Sequence, residues 1–81
     1  MNTIKIYDEN NEIKEYKVLL IIDKEYKYIV YTDIDNNDFN KDLMVAKVKS
    51  LDNVNETIQI DEKEWEMIED YYKKAISEPQ E

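Results

Sequence analysis

Carboxylates and tyrosines carry most of the chemical capacity of this chain: 20 Asp and Glu and seven Tyr stand beside 11 lysines, with no His, Cys or Gly in 81 residues. Two carboxylates can share acid–base work when one is buried in a cleft with a raised pKa. Here Asp23, at the end of the apolar run Val18–Ile22, is the one acid set against an apolar stretch. The acids therefore read as surface solubility, and no catalytic residue is assigned. Without His or Cys there is no imidazole base, thiolate nucleophile, zinc finger, disulfide or iron–sulfur centre. Without Gly there is no phosphate-cradling loop or dinucleotide turn. The hydroxyls of Ser50 and Ser77 have no histidine to activate them. The expectation is a protein that is not an enzyme and uses no cofactor.

One acidic run invites a metal. Asp33-Ile34-Asp35-Asn36-Asn37-Asp38 opens like a calcium loop, with oxygen-bearing side chains at alternate positions. The pattern then fails, because Asp38 stands where the loop needs glycine and Met44 where it needs a bidentate glutamate. No metal site is assigned. A carboxylate- or metal-dependent enzyme, which would draw its ligands from this loop, ranks last among the functions considered.

Charge gives a better lead. Residues 1–32 are net −1, residues 33–60 net −3 and residues 61–81 net −5, for a total of −9 with no arginine. A single-sign surface steers partners of the opposite sign, and it repels the phosphates that a nucleic-acid binder must neutralise. The first functional expectation is a non-enzymatic module that binds a basic protein surface. Glu62, Glu66, Glu69 and Asp70, with Asp33, Asp35 and Asp38 of the loop, supply the charge. Tyr28 and Tyr31 are its candidate aromatic anchors, since such residues are enriched at interfaces. The alternative is a nucleic-acid mimic that blocks a nuclease, polymerase or other nucleic-acid-binding protein: the helix acids recur at three- and four-residue steps, rises of about 4.5–6 Å, on the scale of phosphate spacing. Lys73 and Lys74 interrupt that stripe.

These residues need elements to hold them. Thr3–Tyr7 alternates apolar and polar, Glu15–Ile22 alternates and then runs apolar, and Tyr26–Thr32 is rich in aromatic and β-branched residues. The short turns between them predict an antiparallel meander. Asp33–Asp42 reads as the longest loop, Leu43–Ser50 as a fourth strand and Thr57–Ile60 as a short fifth. With no glycine, Asn and Asp must carry the left-handed turn positions. After Ile60 the period changes: Trp65, Ile68, Tyr72 and Ala75–Ile76 share one face of a helix that opens on an Asp61–Glu64 capping box. Trp65 is the expected anchor of that helix, with Ile68 and Tyr72, against Val18, Leu20 or Val30. The fold class is α+β: a curled, mostly antiparallel sheet of four to five strands with one C-terminal amphipathic helix packed on it. Residues 1–76 form one domain and 77–81 a frayed tail. The sheet face away from the helix is left for a homodimer contact. Met1–Ile6 lacks a signal-peptide pattern and the five-residue run Val18–Ile22 is too short to span a bilayer, so no membrane partner is expected and the location is cytoplasmic.

Taken in order, Ile4-Lys5-Ile6-Tyr7-Asp8-Glu9-Asn10, Glu15-Tyr16-Lys17-Val18-Leu19, Tyr28-Ile29-Val30-Tyr31-Thr32-Asp33, Ile58-Gln59-Ile60 and Glu64-Trp65-Glu66-Met67-Ile68-Glu69 resemble the YrzB-like family of small acidic bacterial proteins, a domain of unknown function. Asn10-Asn11 stands where members of that family typically carry a glycine. The resemblance implies a bacterial cytoplasmic protein and brings no catalytic residues with it.

Overall fold

The computed structural model describes residues 2–77. Four strands, β1 (Thr3–Tyr7), β2 (Ile13–Asp23), β3 (Lys27–Asp33) and β4 (Met44–Val48), precede one helix, α1 (Glu62–Ser77). The strands form a single antiparallel sheet in the order β1-β2-β3-β4, curled into a half-barrel. The fold is α+β, as the sequence pattern predicts. No described helix is long and apolar enough to cross a membrane.

The turns work without glycine because Asn and Asp take its place. Between β1 and β2, Asn11 adopts φ 61°, while the Asp8 carboxylate accepts the backbone N–H groups of Asn10 and Glu12 at 2.8 and 3.0 Å. Asp42 adopts φ 57° just before β4. For most residues this left-handed region costs about 1–2 kcal/mol. Asn11→Val should therefore destabilise the domain by about 1–2 kcal/mol in urea unfolding, with Asn11→Gly close to neutral. A costless valine would show that the turn can rearrange.

The unbroken apolar run Val18–Ile22 has a local cause. Val18 pairs with Tyr31 and Leu20 with Val30, so the register shifts at Leu19. This bulge brings both Leu19 and Leu20 against the helix-side cluster of Ile22, Tyr28, Val30, Ile68 and Tyr72, while Val18 serves the opposite face. One strand thus feeds two cores. The second core, Ile29, Ala46 and Val48 with Ile4, Val18, Tyr31 and Val54 packed around it, lies on the face away from α1.

That second face is not bare. Residues 49–57 turn back from β4, place Val54 against the second core, and reach β1, where the Asn55 side-chain carbonyl accepts the Tyr7 N–H at 3.1 Å. Ile29, Ala46 and Val48 are consequently buried within a single chain. On this face, the one left for a homodimer contact, Ile21, the partner of Ile29 across β2 and β3, remains exposed.

The structure corrects several expectations. Thr57–Ile60 forms no fifth strand: Ile58 makes one bridge, donating its N–H to the Lys47 carbonyl at 2.8 Å, and the chain then leaves the sheet to start the helix. Trp65 is not the anchor of α1. It is 42% exposed, whereas Ile68 and Tyr72 are buried against Leu20 and Val30, and Val18, a proposed contact, lies on the other face. Ser77 belongs to α1; the rest of the expected tail lies outside the described residues.

Candidate functional site

Helix α1 takes part in two arrangements, one at its N-terminus and one along its length. The first fastens its N-terminus. Asp61 Oδ1 accepts the Glu64 N–H at 2.8 Å and Glu64 Oε1 accepts the Asp61 N–H at 3.1 Å, the reciprocal capping box expected from the sequence. Glu64 Oε2 then reaches the sheet, where it accepts the Tyr28 hydroxyl and sits 2.6 Å from Lys47 Nζ. Tyr28 and Lys47 are adjacent because they pair across β3 and β4. The Lys47 ammonium also lies 4.5 Å from the Tyr26 ring centre, a cation–π contact.

These bonds move both ionisations outward. Hydrogen bonds from Lys47, then from Tyr28 and the Asp61 backbone, hold the Glu64 carboxyl well below its ordinary 4.5, at about 2. The same carboxylate, with burial adding to it, pushes the Tyr28 hydroxyl from 10 up to about 12. At neutral pH the group is a neutral phenol and an ion pair with every oxygen of Glu64 engaged. Neither proton is poised for transfer near pH 7, so the cluster fastens helix to sheet.

Tyr28 is therefore not a surface anchor: it is buried under the helix start. Tyr31 is half-buried on the second face, stacked edge-on against Tyr16 at 5.1 Å between centroids. Among the loop acids, Asp33 is ion-paired with Lys14 at 3.0 Å, and this partner holds the Lys14 ammonium above its ordinary value. Asp38 spends one carboxylate oxygen on the Asn40 N–H at 3.0 Å. The loop is organised by Asn36, which donates to the Thr32 hydroxyl at 2.7 Å and to the Lys41 carbonyl at 2.9 Å. Thr32, fully buried, in turn donates to the Asp42 carbonyl at 2.8 Å. Among the described residues no three acidic side chains converge on one point. Asn36, Asp38 and Thr32 thus spend their polar groups on the loop's shape, while Asp35 stays exposed.

Glu62, Glu66, Glu69 and Asp70 are all exposed on α1, and the described ion pairs engage Asp23, Asp33 and Glu64 instead of these four. The second arrangement lies beside them. A cleft of about 320 Å³ opens between α1, β4 and the loop before it. Buried Val30, Ile68 and Tyr72 form its floor, and Trp65 and Ile76, 42% and 45% exposed, stand on its rim. Glu69 and Lys73 line its wall. The Tyr72 hydroxyl donates to the Phe39 carbonyl at 2.7 Å, which pins the loop to the helix along this cleft.

Sequence reasoning missed Glu64 and the cleft. Glu64 was visible as a capping residue, and a further signal existed: Glu64, Ile68 and Tyr72 recur every four residues, so the carboxylate stands on the buried stripe. The cleft had no such signal, since it depends on how far the loop before β4 stands from the helix. Comparison with known proteins gives no match for the chain: no family model, no curated protein and no solved structure.

Proposed function

We propose that this chain is a non-enzymatic acidic interaction module that docks on the basic surface of a protein partner. The observation that carries the reading is the exposed row Glu62, Glu66, Glu69 and Asp70 on α1, outside the described ion pairs. A structural acid in this fold looks different, as Glu64 shows: it is inside, paired and hydrogen-bonded. Asp35 and the exposed Asp38 extend the negative surface on the loop. Such a surface accelerates encounter with a cationic partner and loses its reach as salt screens it. Kinship with the YrzB-like family belongs to the same proposal and rests on the strand and helix segments quoted above; so does a cytoplasmic setting.

The test compares the chain with a variant carrying Glu62→Gln, Glu66→Gln, Glu69→Gln and Asp70→Asn as immobilised bait. A specific partner should be retained by the native chain at low salt, be lost near 1 M salt, where the Debye length is about 3 Å, and be absent from the variant. Equal retention by both baits would show that the acidic row is not the contact.

A further inference from the structure

We infer that the cleft beside Trp65 receives a single large apolar side chain from the partner, presented between lysines or arginines. This inference rests on the acidic-module reading and assigns it a recognition site.

The cleft has a size and a lining suited to one side chain. Its volume is about 320 Å³, and its floor and rim are Val30, Ile68, Tyr72, Trp65 and Ile76. An apolar recess of this kind excludes water from an inserted group, which is how interface anchors gain most of their affinity. Trp65 leaves much of its indole uncovered beside it, an unusual disposition for the one tryptophan of a small domain with two cores to fill. A rigid aromatic surface on a recess rim provides large contact area at low entropic cost.

Charge decides what the occupant carries on either side. On the helix surface Glu62 lies three residues before Trp65 and Glu69 four after it, the spacings that make direct neighbours. Glu66 and Asp70 follow on the exposed side. A second copy of this chain would bring −9 against −9, so self-association through the cleft is opposed by the same acids that favour a cationic segment. An apolar anchor without flanking cations would use the floor and waste the rim. The wall also holds Lys73, which sets a limit: the flanking cations should meet Glu62 and Glu66 at the Trp65 end, away from that ammonium.

The sole tryptophan reports on its own site. Two synthetic nonapeptides serve as probes, identical lysine-flanked sequences with a central phenylalanine in one and alanine in the other. The phenylalanine peptide should bind at least about tenfold tighter, the worth of burying one aromatic side chain, and shift Trp65 emission to the blue. Both peptides should weaken near 1 M salt. Ile76→Asp, at an exposed rim position that leaves the cores untouched, should erase the preference for phenylalanine while the salt-sensitive binding of both peptides persists. Equal binding of the two peptides with unchanged Trp65 emission overturns the cleft and leaves the acidic module standing. Failure of both peptides to bind at low salt overturns both readings. A Trp65 shift that grows with protein concentration alone, alongside dimer formation in sedimentation, assigns the cleft to a second copy and overturns the inference.

Discussion

Ile29→Ala should cost about 2–5 kcal/mol, as much as a core truncation on the helix side such as Ile68→Ala. Ile29 is 1% exposed at the centre of the second core, on the face that a sheet with one helix would leave open. A domain of 81 residues has total stability of only about 4–12 kcal/mol, so either truncation removes a large share of it. Urea unfolding of the two variants beside the native chain makes the comparison, read as a lower midpoint at constant slope. The result matters because it weighs the second core, where Val54 of the segment after β4 joins Ile4, Val18 and Tyr31 around the cluster that contains Ile29. A loss under about 1 kcal/mol at Ile29, with the full loss at Ile68, would mean that the second face opens readily in solution.

The second large effect concerns pH and the Tyr28–Glu64–Lys47 cluster. Glu64 is an acid whose folded pKa lies below its ordinary 4.5, at about 2. Its contribution to stability is complete above pH 4.5 and is lost as pH falls through about 2. Tyr28 is shifted the other way, from 10 to about 12. Its contribution is complete below pH 10 and is lost as pH rises through about 12. Between those limits the contribution of Glu64 and Tyr28 should not change with pH. Glu64→Gln tests both arms at once. The substitution removes the carboxylate that receives Tyr28 and balances Lys47, so the melting temperature at pH 7 should fall, and the alkaline loss should begin lower, as the Tyr28 ionisation moves back toward 10. Burial keeps it somewhat above that value. A pH titration followed at the Tyr28 ring carbons by NMR reads the shift directly. If Tyr28 still titrates at about 12 in the variant, burial and not Glu64 controls it.

The strands were legible to the extent that local chemistry dictates them. Asp8, Asn11 and Asp42 mark turns because they are the residues that fold back on their own backbone or accept positive φ. The stripe Ile68 and Tyr72 announced the buried helix face through spacing alone. Trp65 misled because spacing says which residues share a face and not how far a partner surface extends beneath it. Trp65 shares a cleft with Val30, Leu43 and Val45 instead of packing under them, and much of its indole stays uncovered. Thr57–Ile60 reads as a strand by its β-branched residues, yet only Ile58 meets β4, through a single bridge to Lys47, before the chain enters α1. Tyr28 looked like an anchor because aromatic residues serve interfaces and interiors equally well. What separates them is the company on the same face, here Glu64 and Lys47, which lie 36 and 19 positions away. The Leu19 bulge was hidden in the uninterrupted run Val18–Ile22, where a shift of register leaves no trace in composition.

The segment after β4 touches both ends of the sheet: Ile58 bonds to Lys47 on one outer strand, and Asn55 bonds to Tyr7 on the other. Open strand edges are templates for uncontrolled pairing between chains, and small proteins commonly guard them with charges, bulges or covering segments. Here one short run of chain bonds to both edge strands, which the curl of the sheet brings within the span from Asn55 to Ile58. Resistance to aggregation therefore depends on the integrity of a single peptide stretch, and a protease cut within residues 49–57 would expose both templates in one event.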